Sequence, residues 1–145
     1  MKRLIIFILM FLFFNIFNPL HAEEMLINDP LYSDITNTVL SYFTALKNGD
    51  INTIKVYISL AIYNKNKALL EQNEKYPEFL RNYYQGAEFA VEKVEKIDDN
   101  IIVTVVIKLA KSSPGVISLR LVKESSQGEA TNQMWKIDGD TQTRS

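Results

Sequence analysis

The sequence predicts a segregated α+β fold, in which a curved antiparallel sheet of about four strands wraps N-terminal helices as a cone. Three observations predict it. Apolar residues recur at helical spacing from Tyr32 to Tyr84, the period falls to two residues from Ala87 onward, and Gly86 stands where the pattern changes. Helices first and strands afterwards is the order of an α+β domain rather than of alternating βαβ units.

Residues 1–22 read as an export signal cleaved after Ala22, with Lys2 and Arg3 at its start and Asn15, Asn18 and Pro19 closing its apolar run. That run, Leu4 to Phe14, is eleven residues; a signal peptide carries ~7–15, and a bilayer span needs ~20. A retained anchor is the competing reading, because Leu4 to Leu20 spans if tilted and Leu20 is bulky for its place three residues before the cut. The chain has no cysteine, hence no thiol to lipidate at the cleavage site. A periplasmic or secreted protein without a membrane anchor is expected.

The remaining residues 23–145 suffice for one domain with a single core. Their 14 basic and 17 acidic residues give a charge of −3, with no concentrated basic surface for nucleic acid or anionic lipid. Without disulfides, packing alone must hold the domain together. The single histidine, His21, leaves with the signal. Lacking imidazole and thiol, the domain offers no zinc, copper, haem or iron–sulfur site of the usual kinds and no Ser-His-Asp or Cys-His nucleophile. No cofactor, metal or catalytic residue is assigned, and only carboxylate, lysine, tyrosine or hydroxyl chemistry stays open.

The first helix spans Asp29 to Asp50. Tyr32, Ile35, Val39, Tyr42, Phe43 and Leu46 share one face, Asp29 caps the start, Pro30 suits the first helical position, and Gly49 stops the helix. Asp50 caps a second helix carrying Ile51, Ile54, Ile58 and Ile62, with a polar turn expected at Asn64-Lys65-Asn66-Lys67. A third helical stretch runs from Ala68 to Gln85, where Pro77 requires a kink or a restart. Strands follow. Phe89 and Val91 alternate with Glu88, Ala90 and Glu92, while Val94 and Ile97 fall out of phase and place a bulge near Glu92-Lys93. Asp98-Asp99-Asn100 makes a hairpin turn into Ile101 to Leu109, expected to be central and covered on both faces. After a turn at Ser112 to Gly115, Val116 to Lys123 alternates, Ser125 to Asn132 is a polar loop, and Met134 to Ile137 is a short last strand before a polar tail.

This layout resembles the nuclear-transport-factor-2-like superfamily, and within it the exported bacterial branch of small domains that includes lumazine-binding-like proteins. The resemblance rests on the run Tyr42 to Asp50, the immediate second helix, the hairpins, and the closing Trp135-Lys136-Ile137-Asp138; it covers about Asp29 to Gly139. Phe-x-Ala-Leu-x-x-Gly-Asp also occurs in tetratricopeptide repeats, but no second copy follows. The resemblance implies a cone-shaped domain with a pocket and transfers no catalytic residue, because the superfamily's Asp-His pairs have no counterpart here.

For that pocket the candidate lining is Tyr42, Tyr57, Tyr63, Tyr83, Phe89 and Trp135, giving apolar walls with a few phenolic hydrogen bonds; the plainer reading makes them core. Acid–base chemistry would need Glu88, Glu92, Glu95, Asp34 or Glu71, for which a solvated face is the ordinary role. Lys93, Lys96, Lys108, Lys111, Arg120 and Lys123 are interleaved with Glu92, Glu95 and Glu124, favouring cross-strand ion pairs over a basic stripe. The preferred function is therefore a non-enzymatic exported protein that binds a small apolar ligand or a protein partner. The alternatives are a cofactor-free lyase or isomerase using a carboxylate and a tyrosine, and a structural subunit that forms a homodimer through its sheet.

Overall fold

The computed structural model describes residues 22–125 and 132–141. The expected export signal through residue 21, residues 126–131 of the expected polar loop and the last four residues lie outside these. Among the described residues no helix is long and apolar enough to cross a membrane.

Four helices are followed by a sheet. Helix α1 spans Pro30–Asn48 and begins and ends as its sequence dictates: Asp29 accepts a 2.8 Å hydrogen bond from the Leu31 amide, and Gly49 adopts the left-handed conformation at φ 62°. Its buried face carries Ile35, Val39, Phe43 and Leu46, with Tyr32 and Tyr42 half-buried beside them. Each such aliphatic or aromatic side chain contributes about 1.5–3 kcal/mol when taken fully from water. Helix α2, Ile51–Tyr57, starts on Asp50, whose carboxylate accepts from the Thr53 amide at 3.1 Å and from the Thr53 hydroxyl at 2.6 Å. Those two bonds hold its carboxyl below the usual range.

The next break differs from the expectation. Asn64 to Lys67 does not end a helix but lies inside α3, Leu60–Gln72, and the chain leaves helical geometry earlier, at Ile58 and Ser59. The cause is tertiary. Ile58 forms a parallel bridge to Ile137 of the last strand, and the Ser59 amide donates to the Ile137 carbonyl at 2.8 Å. Ser59, fully buried, then caps α3: its Oγ accepts from the Ile62 amide at 3.2 Å and donates to Asp138 at 2.6 Å. Asp138 also accepts from Arg120 at 2.7 Å. The stretch Ala68 to Gln85 is likewise divided, since Ala68 to Gln72 complete α3 and a restarted helix α4, Tyr76–Tyr83, holds Pro77 in its first turn, where a missing amide costs nothing.

The sheet has five strands in sequential order: β1 Glu23–Glu24, β2 Glu88–Ile97, β3 Asn100–Lys108, β4 Gly115–Ser125 and β5 Gln133–Asp140. All neighbours are antiparallel. The stretch before α1 holds a short edge strand, pairing Glu23 with Lys96, and β5 runs past Ile137 into the expected tail. The β2 bulge falls at Glu92, and Asp98 takes a left-handed φ of 55° in the β2–β3 turn. Strand β3 is central, but only Ile101, Val103 and Val105 are buried; Ile102, Thr104 and Val106 on its other face are half-exposed. The core therefore has one inner sheet face, with Val94, Val103, Leu121 and Ile137 against α1.

Two substitutions test this frame by urea unfolding. Ser59→Ala is expected to cost about 1–3 kcal/mol, because it removes a cap and a hydrogen bond to a half-buried carboxylate together. Gly49→Ala is expected to cost more than about 1 kcal/mol, since a Cβ there runs into the Pro77 carbonyl oxygen in a left-handed backbone. An unchanged midpoint in either would show that the joint or the helix stop is dispensable.

Candidate functional site

The space between α1 and the sheet is occupied by side chains. Ile35, Val39, Val94, Val103, Val105 and Leu121 there are all fully buried. At one end an aromatic group continues the filling: Phe43 stacks on Phe89 with centroids 4.6 Å apart, Tyr42 meets Phe43 edge-on at 5.4 Å, and Tyr84 lies 5.8 Å from Phe89. Loss of solvent, with Tyr84 and Tyr76 nearby, pushes the Tyr42 phenol far above its ordinary pKa.

The six candidate pocket residues do not converge on one cavity. Tyr42 and Phe89 share the aromatic group just described. Tyr57 borders a small cleft of about 340 Å³ between α1 and α2. Tyr83 stands 52% exposed on α4, stacked on Phe79 at 5.7 Å. Trp135 packs on the core from the inner face of β5, with the Lys123 ammonium 5.6 Å over its ring. Tyr63 alone of the six reaches a second cleft.

That cleft, of about 710 Å³, lies where α2 and α3 turn past the end of the sheet. Its walls are Lys55 and Val56 from α2, Ile58 and Leu60 from the junction, Tyr63 and Glu71 from α3, and Glu124, Ser125, Met134 and Lys136 from β4 and β5. The strand contributors follow from the pleat. Leu121 and Ile137 pair on the inner face, so Glu124, Met134 and Lys136 project from the other one. The junction at Ile58 and Ser59 carries α3 alongside β5 and so supplies the second wall.

Apolar and ionised groups alternate around the cleft. Val56 and Leu60 are 46% and 52% exposed, large apolar side chains with one side open. The Tyr63 hydroxyl donates to Glu71, and Lys55 stands 3.7 Å from the same carboxylate. The Tyr63 bond, reinforced by Lys67 and Lys55, holds the Glu71 carboxyl below its ordinary pKa and raises the Tyr63 phenol above its own. Glu124 accepts a 3.0 Å hydrogen bond from the Leu60 amide. Lys136 is only 7% exposed, yet no ion pair or hydrogen bond among the described residues reaches its ammonium.

Sequence reasoning had singled out Tyr63 and Glu71 separately but had not joined them, and it missed Lys136. A lysine inside the apolar run Met134 to Ile137 was the available signal. Among the described residues no group of three or more histidine, cysteine or acidic side chains is placed to hold a metal ion. Glu88 and Glu92 are exposed, as a solvated face requires. Comparison of the chain with protein families, curated proteins and solved structures returns no match.

The Tyr63–Glu71 bond makes a pH prediction. Because the folded carboxyl is depressed, the stability it carries is complete above the unfolded carboxyl's pKa and is lost as pH falls through the folded value. Tyr63→Phe is expected to move the Glu71 carboxyl titration, followed by ¹³C NMR, upward toward the ordinary range; an unmoved midpoint would assign the depression to the lysines instead.

Proposed function

We propose that this is an exported, non-enzymatic binding protein of the nuclear-transport-factor-2-like kind, periplasmic or secreted, that holds a small ligand in the cleft between α2, α3 and the β4–β5 edge. The observation that carries the reading is the cleft itself. Its volume of about 710 Å³ falls within the ~300–1,000 Å³ of small-molecule sites, and Val56, Ile58, Leu60 and Met134 give it an apolar wall set among charged and hydroxyl side chains that can orient a ligand.

The lyase or isomerase reading has one observation in its favour, the Tyr63–Glu71 pair, and the same pair argues against it. A general acid or base works best with a pKa near the operating pH, whereas this bond drives the carboxyl down and the phenol up. Dimerisation through the sheet has Ile102, Val106 and the exposed Val116 of the outer face in its favour, but the Lys93–Glu95 pair and Arg120 stand on the same face. Interface cores are depleted in charge.

Binding is tested with N-phenyl-1-naphthylamine, a neutral apolar dye whose fluorescence rises on burial. The protein is expected to bind it, and Val56→Trp, which places an indole across the cleft from a partly exposed position, is expected to weaken binding by about tenfold or more. Equal titrations for both proteins would remove the cleft as the site. Native mass spectrometry of protein purified from the envelope supplies a second check: a bound small molecule supports the proposal, and a bare dimer supports the structural reading.

A further inference from the structure

Lys136 is the least explained ionised group in the domain. Its side chain is more than nine-tenths buried, it projects from β5 into the cleft, and none of the ion pairs or hydrogen bonds among the described residues includes its ammonium. Every fully buried side-chain nitrogen or oxygen in the described residues has a hydrogen-bond partner. The Lys136 ammonium therefore keeps a sliver of solvent contact, and the cleft is where it finds it. Burying the stem of a lysine while leaving its head unpaired costs free energy, which a ligand oxyanion would offset.

The neighbouring carboxylates are already hydrogen-bonded. Glu124 receives the Leu60 amide, while Glu71 receives the Tyr63 hydroxyl and faces Lys55 at 3.7 Å. These two carboxylates set the valence of anything that approaches Lys136. A dianionic phosphate would be repelled by both, and no arginine lines the cleft to hold it in a bidentate fork. A monoanion meets one unpaired cation. Beside it, Val56, Leu60 and Met134 offer apolar surface for the rest of the molecule.

We infer that the cleft takes an amphipathic organic monoanion, a carboxylate with an apolar body, whose head group pairs with Lys136. This rests on the reading of the cleft as a small-ligand site and adds the charge and polarity of the ligand. Lys136 acts as the specificity-determining residue, and the apolar wall supplies affinity common to charged and neutral ligands alike.

The test compares octanoate with 1-octanol, which share an apolar chain and differ in charge. Binding is followed through the ¹³C-labelled methyl of Met134 in the cleft, with Met25, packed on the core away from it, as internal control. Octanoate is expected to bind about tenfold more tightly than octanol, the worth of one charge-assisted hydrogen bond. Lys136→Met, which keeps the volume, is expected to abolish that preference, while Lys136→Arg retains it. Equal affinities for the two ligands would overturn the inference and leave the cleft a ligand site. A preference for octanoate that survives in Lys136→Met would place the anion elsewhere and equally overturn it. If neither ligand moves the Met134 methyl, the reading of the cleft falls as well. Should Lys136→Met fail to fold, Lys136→Gln, which removes the charge and keeps a polar end, takes its place in the same comparison of octanoate with octanol.

Discussion

Two residues join the helical half of this protein to its sheet. Ile58 and Ser59 abandon helical geometry, bond to Ile137, and give Ser59 a carboxylate partner 79 residues away in Asp138. Without that joint, α2 and α3 would be free to continue as one rod along α1. With it, α3 is redirected over the β5 edge, and β5 is covered by a neighbour on the side that would otherwise present unpaired amides and carbonyls. The joint is expensive to break because its centre is buried: Ser59 is fully out of solvent with Ile58 and Ile137 beside it, and removing its hydroxyl leaves the Ile62 amide without its cap.

The cleft is a consequence of the same redirection. Most of the outer sheet face is open to solvent and carries paired charges, such as Lys93 with Glu95 and Lys108 with Glu88. Only where α2 and α3 pass the ends of β4 and β5 does a second wall rise opposite that face. Strand alternation then decides which residues look into it, and Lys136 is among them by the parity of its position next to Ile137. Glu124 and Glu71 are held by an amide and a phenol, so the local field is shaped by groups that cannot easily reorient.

Much of the fold was legible because its determinants are local. Asp29, Pro30, Gly49 and Asp50 cap and stop helices through bonds that span two or three residues, and the phase slip at Glu92 announces its bulge within a single strand. The break at Ile58 was not legible, because nothing near it in sequence forbids a helix; the partner that wins the contest is Ile137. For the same reason the polar run Asn64 to Lys67 misled: it is the solvent side of α3, with Asn66 bonding back to the Ile62 carbonyl. The edge strand at Glu23 was hidden by its brevity. Tyrosines chosen by type alone scattered over four places, since residue type says nothing about which elements a long-range joint brings together.

A lysine at the centre of an apolar strand would ordinarily be an error in a design, because a buried cation destabilises the domain unless paired. Its tolerance here follows from where its ammonium ends, in a cleft with water on one side and aliphatic side chains on the other. Replacing it by methionine would remove an unfavourable desolvation and is therefore expected to leave the domain at least as stable, if the lysine serves ligand rather than fold. A structural lysine would behave oppositely, because its removal would open a gap or strand a partner, and Lys136 has no such partner among the described residues. Stability and binding thus pull in different directions at this one position, which separates a residue kept for function from one kept for packing.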